Sequence, residues 1–463
     1  MTMTARVAVT LATIMFAGCG GGASRTAPVA RGGSGQTRAV KTIPVGKIEH
    51  VVIIVQENRT LNNLFLNYPN ATTQSWGLDS NNNHITLQPI SLKAPYDLDH
   101  KHAAFTTEYD GGKMDGWNNE GATACTLGPN CPVKDRRAYG YVPQSEIQPY
   151  WQMAADFVLA DNMFQTNQGP SFPAHQFLIA GTSSAAPQYP SLLAAENAQA
   201  PGGGTTAGCD SPAGTLGALI DPATGDESQL AFPCFDHSTL FDLIDAGPPS
   251  PLPTPLTWRY YQAHVGAGLW NAPDAISHIR NGPDYANVRV PNTKILDDIT
   301  AGQLPNVSWV IPTAAESDHA NITDGSGPAW VARVVNAVGN SKYWNTTAIF
   351  VTWDDWGGWF DPVTPTIVNK YELGFRVPLL VISPYARAGT VSHDPHQFGS
   401  ILRFTEEAFG LPQLGYTDSV SDNLADCFNF NQTPLPFPTN IQATLPASYF
   451  RARPDDRNAD DDF

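Results

Sequence analysis

The sequence predicts an α/β fold built on a mainly parallel sheet, and three observations carry that prediction. Two apolar runs, VVIIV at 51–55 and TAIFVTW at 347–353, are continuous rather than alternating, as buried strands are. Stretches of helical periodicity alternate with such runs along the chain, the pattern of a sheet flanked by helices. Polar signatures follow both runs directly, Gln56-Glu57-Asn58-Arg59 after the first and Asp354-Asp355-Trp356-Gly357-Gly358 after the second. The space beyond strand ends is where open α/β sheets place their chemistry.

Taken in chain order, residues 1–18 read as an export signal. Arg6 supplies a short positive region, and the apolar stretch at 7–16 is too short to span a membrane. Phe16-Ala17-Gly18-Cys19 resembles a lipoprotein signal, with Cys19 as the lipidated N-terminus after cleavage. Residues 19–40 are rich in Gly, Ser, Ala and Arg and read as a flexible tether. The protein is therefore expected to be exported, as a periplasmic or outer-membrane-associated lipoprotein held to a membrane by its N-terminal lipid.

The main unit is expected over residues 41–450. Residues 47–56 form its first core strand, and the Asn-rich stretch 58–90 reads as loop. FVLADNMF at 157–164 reads as a strand or short helix leading to Ser171, and a helix starts within 172–182. The Gly- and Pro-rich stretch 185–255 reads as an insertion or a cap over the site. Residues 257–261 and 307–312 read as strands, and 329–342 as a helix entering the 347–353 strand. A further strand is expected at 376–383. The helix at 400–410 has Ser400 as its cap and Gly410 as its stop. Residues 451–463 read as a loose acidic tail.

Composition narrows the function classes. Among 463 residues, 26 basic and 43 acidic side chains give a formal net charge of -17. Such a surface repels duplex nucleic acid, so no nucleic-acid partner is expected. No obligate protein partner is evident. The 39 glycines and 39 prolines point to long ordered loops rather than a helical bundle. Of the six cysteines, Cys125 and Cys131 form one local pair and Cys209 and Cys234 another in an oxidising compartment, which leaves Cys427 free. No Cys/His spacing resembles a zinc finger, so thiolate ligation of a metal is not expected.

Glu57, Asn58, Asp354 and Asp355 offer four oxygen ligands at strand ends. That set suits one hard divalent cation, Ca²⁺, Mg²⁺ or Mn²⁺. Taken singly, each acidic pair also reads as a solvated turn. Ser171 sits between Pro170 and Pro173 and after Gly169. Its hydroxyl reads either as a nucleophile activated by a bound cation or as a helix cap. His175, four residues on, shares its helix face. His100, His102, His319, His393 and His396 all lie in polar segments, suited to binding phosphate oxygens or protonating a leaving oxygen. Lys113, in DGGKMDGW at 110–117, reads as an anion clamp or as a solvated lysine.

Several longer segments, in order, carry a resemblance to a known family. They include QENRTLNNLF at 56–65, DLDH at 97–100, DGGKMDGW at 110–117, GPSFPAHQFLIAGT at 169–182 and CFDHSTLFDLID at 234–245. SWVIPTAAESDH at 308–319, TAIFVTWDDWGGWFDPV at 347–363, GFRVPLLVISPYARAGTVSH at 374–393 and FGSILRFTEEAFGLP at 398–412 complete the series. Together they resemble the bacterial phosphoesterases of the phospholipase C and acid phosphatase type, within the alkaline-phosphatase-like superfamily. The resemblance implies a doubly wound, mainly parallel sheet sandwiched by helices, with loop insertions shaping the pocket. It implies that Glu57, Asn58, Asp354, Asp355 and the Ser171 hydroxyl hold one metal ion. It makes Ser171 the nucleophile of a phosphoseryl intermediate, with His319 and His100 as catalytic partners. His100, Lys113, His175 and His319 then contact the substrate. Two departures stand out: Asp354-Asp355 replaces the family's Asp-Glu, and Phe360-Asp361-Pro362 replaces Tyr-Asp-His. The expected activity is acid-phosphatase-like hydrolysis of phosphate monoesters. Phospholipase C action on phosphodiester headgroups is the alternative within enzymes, and a catalytically inactive, lipid-anchored binding module the alternative outside them.

Overall fold

The computed structural model describes residues 42–249, 255–438 and 440–453. The export signal, Cys19, the tether and the tail beyond Arg453 lie outside the described residues. The centre is an eight-stranded sheet. His50–Gln56 runs parallel to Thr347–Trp353 over its whole length, with Gln56 opposite Trp353. Val307–Val310 flanks it on the other side, followed by Trp258–Tyr261 and Val288–Arg289, all parallel. Beyond Thr347–Trp353 the strand Leu379–Ile382 is reversed. Val158–Ala160 and Thr390–Ser392 return to the common direction. The central strands are buried along their length because helices flank the sheet, hence the unbroken apolar runs. Helix Gly327–Gly339 contacts both Gln148–Asp156 and Lys294–Thr300, and Ser171–Ala180 packs on Phe398–Phe409. The α/β fold with a mainly parallel sheet is thus present. Among the described residues no helix is long and apolar enough to cross a membrane.

Three local expectations change. The stretch 58–90 holds a helix, Leu61–Phe65, and a ribbon pairing Trp76–Leu78 with His84–Thr86. Five residues are too few for a periodic signal. Tertiary bonds fix them instead: Asn62 Nδ2 donates to Gln74 O at 3.0 Å and Asn63 Nδ2 to Gly140 O at 2.8 Å. Residues 157–164 split into Val158–Ala160 and Met163–Phe164. Ser400 is not the cap of its helix. Gln397 is, and Ser400 Oγ accepts from Gln397 N at 3.1 Å as the reciprocal half of the box. Gly410 does end that helix, at φ +67. Within 185–255, strands from Ser184 to Ala231 form a separate four-stranded antiparallel sheet, followed by helix Leu240–Ala246. Cys125–Cys131 and Cys209–Cys234 are disulfide-bonded, and Cys427 is buried and free of a disulfide.

Two buried charges yield stability predictions. Arg376 clasps Asp361 through Nε at 2.8 Å and Nη2 at 3.0 Å, with both side chains wholly buried. This locks Asp361 of the Phe360-Asp361-Pro362 departure in place. Removing one partner strands the other charge, so Arg376→Met should cost about 3–5 kcal/mol in urea unfolding. A loss below about 1 kcal/mol would show that the pair is not stabilising. Glu406, on Phe398–Phe409, accepts from Leu414 N at 3.1 Å. Burial and the neighbouring Asp418 push its carboxyl from 4.5 up to about 8. The folded state therefore holds this proton more tightly than the unfolded chain. Its stabilisation is complete below the unfolded value and is lost as pH rises through about 8. From about pH 5 to about 8 the urea midpoint of the wild type should fall relative to Glu406→Gln. Parallel midpoints for the two proteins would refute this.

Candidate active site

The site grows from the edge where the parallel strands end. Asp354 N bonds Gln56 O at 3.0 Å, one step beyond the last paired residues. The two chains then turn against each other. Asn58 has φ +59 and Gly357 φ +60. A Cβ on Gly357 would sit 2.3 Å from the Asn58 carbonyl oxygen, so only glycine allows this approach. Asp354 Oδ1 accepts from Asn58 N at 3.1 Å and Asp355 N at 2.8 Å. Asp355 Oδ1 accepts from Gly357 N at 2.7 Å, and Asn58 Nδ2 donates to both Asp355 oxygens at 3.1 Å. Asp354 Oδ2 and Asn58 Oδ1 remain buried with no hydrogen-bond donor.

Ser171 is the first residue of its helix, after Pro170 as N-cap, and its side chain makes no capping bond. That removes the helix-cap reading. Its hydroxyl instead lies 3.4 Å from Glu57 Oε2 and 3.4 Å from Asp355 Oδ2. The helix end is capped from elsewhere, by Asn197 Oδ1, which accepts from Phe172 N at 2.9 Å. The approach to Ser171 is tied down by Gln165 Nε2 and Asn167 Nδ2, which donate to Gly169 O at 2.6 and 3.1 Å.

His175, one turn on, stands among the carboxylates. Its Nε2 is 3.1 Å from Glu57 Oε1 and 3.8 Å from Asp354 Oδ2. One ligand atom each from Glu57, His175 and Asp354 lie within 4.8 Å of one another. The expectation of a substrate contact thus becomes a place in the candidate ligand set. His100 Nδ1 donates to Leu98 O at 2.7 Å, and Nε2 lies 3.1 Å from Asn58 Nδ2. His319 Nδ1 donates to Ala320 O at 2.8 Å, and the two imidazoles are 5.9 Å apart. In each ring the carbonyl fixes the proton on Nδ1 in the neutral form, so that Nε2 of His100 then accepts from the Asn58 amide. All eight residues, Glu57, Asn58, His100, Ser171, His175, His319, Asp354 and Asp355, are at most 2 % exposed.

Lys113 is not brought to this site. Its side chain is 67 % exposed, and Nζ pairs with Asp110 Oδ2 at 2.6 Å. Left-handed Asp110, Gly111 and Gly112 fold the lysine back onto that carboxylate. Three other histidines also serve elsewhere: His102 pairs with Glu227, His393 with Asp161 and His396 with Asp422.

Several supporting residues lie inside the family-like segments, where sequence alone assigns them no role. Buried Arg59 donates to Asp318 O at 2.8 Å and Leu92 O at 2.6 Å, and its guanidinium lies 4.8 Å from the Trp359 ring centre. It joins the Glu57 turn to the His319 loop. Asp318 accepts from Tyr150 OH at 2.8 Å and Trp353 Nε1 at 3.0 Å, and burial raises its carboxyl to about 6. Trp356 Nε1 donates to Glu108 Oε2 at 2.6 Å. Burial first, then the Glu120 carboxylate, push Glu108 well above the usual range.

The residues present fit a divalent cation. The Glu57 and Asp354 carboxylates meet the His175 imidazole, the Ser171 hydroxyl reaches Glu57 and Asp355, and the buried Asp354 Oδ2 and Asn58 Oδ1 lack any donor. A buried acceptor without a donor is costly unless a cation meets it. His175 would add a nitrogen ligand, which shifts the preference from Ca²⁺ and Mg²⁺ toward Mn²⁺ and other transition-metal ions.

The sequence profile of the Phosphoesterase family matches residues 48–412. Phospholipase C A of Mycobacterium tuberculosis is 25% identical, over 86% of this chain and 80% of that protein. Non-hemolytic phospholipase C of Pseudomonas aeruginosa is 25% identical over 84% of this chain and 58% of its own length. Non-specific phospholipase C1 of Arabidopsis thaliana is 28% identical over 35% of this chain and 32% of its own. Among solved structures, a protein in the alkaline phosphatase superfamily from Vibrio parahaemolyticus aligns with a TM-score of 0.36 and 12% identity. That alignment covers 82% of this chain and 72% of the other. With the family profile spanning most of the chain, this protein belongs to the Phosphoesterase family and is a hydrolase of phosphoric ester bonds.

Proposed function

We propose that the protein is an exported, metal-dependent phosphoesterase that works through a phosphoserine on Ser171. The observation that carries this reading is the Ser171 hydroxyl, held at a helix start 3.4 Å from both the Glu57 and Asp355 carboxylates rather than used as a cap. Glu57, Asn58, Asp354, Asp355, Ser171 and His175 would hold one divalent ion. Such an ion lowers the hydroxyl's pKa and offsets charge on the transferring phosphoryl group. Ser171 attacks phosphorus in line with the leaving oxygen. His319, with Nδ1 committed to the Ala320 carbonyl, would act as an imidazolium whose Nε2 proton goes to the phosphoryl or leaving oxygen, and His100, whose Nε2 faces the Asn58 amide, would position that amide beside Asp355. Water then hydrolyses the phosphoserine. Export and lipid attachment at Cys19 rest on the N-terminal sequence alone.

For the substrate, the names of the relatives favour a phosphodiester of a phospholipid headgroup. Those from M. tuberculosis and P. aeruginosa are phospholipases C matching 86% and 84% of this chain. The closed site favours the second reading, a compact phosphate monoester. Ser171, Glu57, Asp354 and Asp355 are 0% exposed, so a bulky lipid needs the surrounding loops to part. One panel separates the two: chelator-treated full-length protein, with Ca²⁺, Mg²⁺ or Mn²⁺ added, on matched monoesters, diesters and phosphatidylcholine vesicles. Release of diacylglycerol with little monoester turnover selects the lipase. The reverse selects the phosphatase. No turnover with any ion would overturn both.

A further inference from the structure

A second convergence of side chains, built on different elements, has a different chemistry. Ser392 ends the edge strand Thr390–Ser392, and His396 leads into helix Phe398–Phe409. Asp422, Asp426 and Cys427 lie on the segment that comes back across them, and Arg387 N ties that segment to the strand's approach by bonding Cys427 O at 2.9 Å. One ligand atom each from His396, Asp426 and Cys427 lie within 4.8 Å of one another. His396 Nε2 is 3.6 Å from Asp426 Oδ2 and 3.3 Å from Ser392 Oγ. Cys427 Sγ is 3.6 Å from Asp426 Oδ2. A nitrogen–oxygen gap of that size is beyond a good hydrogen bond. Ligand atoms held about 2.0–2.3 Å from one tetrahedral ion, however, lie about 3.3–3.8 Å apart.

The outer shell has the same character. His396 Nδ1 is 2.8 Å from Asp422 Oδ2, and Asp422 is itself held by Ser400 Oγ and by Leu424 N at 2.8 Å. A carboxylate behind a ligating imidazole fixes the proton on Nδ1 and directs the Nε2 lone pair at the ion. Leu424 adopts φ +57, a left-handed conformation that a branched side chain rarely takes, immediately before the Ala425–Cys427 turn. The His396 and Cys427 side chains are buried, while Asp426 is 17% exposed and leaves an entry path.

We propose that His396, Asp426 and Cys427 form a second metal site, for a zinc-type ion, with a water as fourth ligand, while the Ser392 hydroxyl donates to Asp426 Oδ2 and steadies that carboxylate. Thiolate with imidazole selects a borderline-soft ion, so this site and the oxygen-rich one sort different metals. The sequence pattern argued against thiolate ligation because no Cys/His spacing recurs. Here the ligands are 30 or more positions apart except for Asp426-Cys427, and only the fold assembles them. The ion would pin the edge strand, the helix lead-in and the returning segment together.

Cobalt is the probe. Full-length protein stripped with chelator is titrated with Co²⁺, and a near-ultraviolet thiolate-to-cobalt charge-transfer band is expected. Zn²⁺ should displace that band and raise the thermal midpoint. Cys427→Ser and Asp426→Asn should each abolish or weaken the band while kcat/KM on the best phosphoester is unchanged. Cys19→Ser and Asp354→Asn should keep it. Absence of the band in the wild type at saturating Co²⁺, or its persistence in Cys427→Ser, overturns the proposal. If Cys427→Ser fails to fold, the wild-type and Cys19→Ser spectra decide the question, because Cys427 is the free thiol among the described residues.

Discussion

Ser171→Ala should lower kcat/KM by about a thousandfold or more while the fold survives. The lost oxygen is both the attacking atom and a neighbour of the Glu57 and Asp355 carboxylates. Were the serine a helix cap, the penalty would fall on stability instead, about 0.5–2 kcal/mol, with turnover almost intact. The capping bond here comes from Asn197, so no such loss is expected. Rapid quenching of the wild type with a slowly turned-over phosphoester, followed by mass spectrometry, should place a phosphoryl group on the Ser171 peptide. His319→Ala should slow its formation or decay without moving it. A folded Ser171→Ala protein with near wild-type kcat/KM would remove the proposed nucleophile.

Glu57→Gln and Asp354→Asn should each weaken divalent-cation binding by at least about tenfold, and turnover with it. Their effect on stability should change sign with conditions. In chelator, three carboxylates crowd one buried space, and neutralising one relieves repulsion. Asp354→Asn should then be at least as stable as the wild type. With saturating cation the wild type should gain more, because binding to the folded state alone adds stability by mass action. Thermal midpoints with and without Ca²⁺, Mg²⁺ and Mn²⁺ give both halves. Equal metal-induced shifts in the wild type and both variants would exclude this ligand set.

The parts of the fold that were legible in sequence are those whose signal is local. The His50–Gln56 and Thr347–Trp353 strands announce themselves as unbroken apolar runs because the sheet covers them on both faces. The acids after them are legible for the same reason, since parallel strands deliver their ends to one edge. What stayed hidden depends on distant partners. Asn197 caps a helix that begins 26 positions earlier, and no spacing rule reaches that far. Arg376 and Asp361 meet only when the chain is folded, and Leu61–Phe65 is held by asparagine amides that look like loop residues. Lys113 misleads in the opposite way. Its glycines do create a tight turn, but the turn serves the surface pair with Asp110.

The Asn197 contact bears on how this protein can be engineered. Segment 185–255 has the composition of a removable accessory, and swapping it for a relative's loop is an obvious way to retarget the enzyme. Yet the carbonyl oxygen of the Asn197 side chain terminates the helix that carries Ser171. A chimera that exchanges the segment without an acceptor at this point would inherit a new pocket wall and a loosened nucleophile together. Recombination points are therefore better placed on the far side of Asn197, after residue 200, so that any transplanted loop leaves the helix end in its original grip.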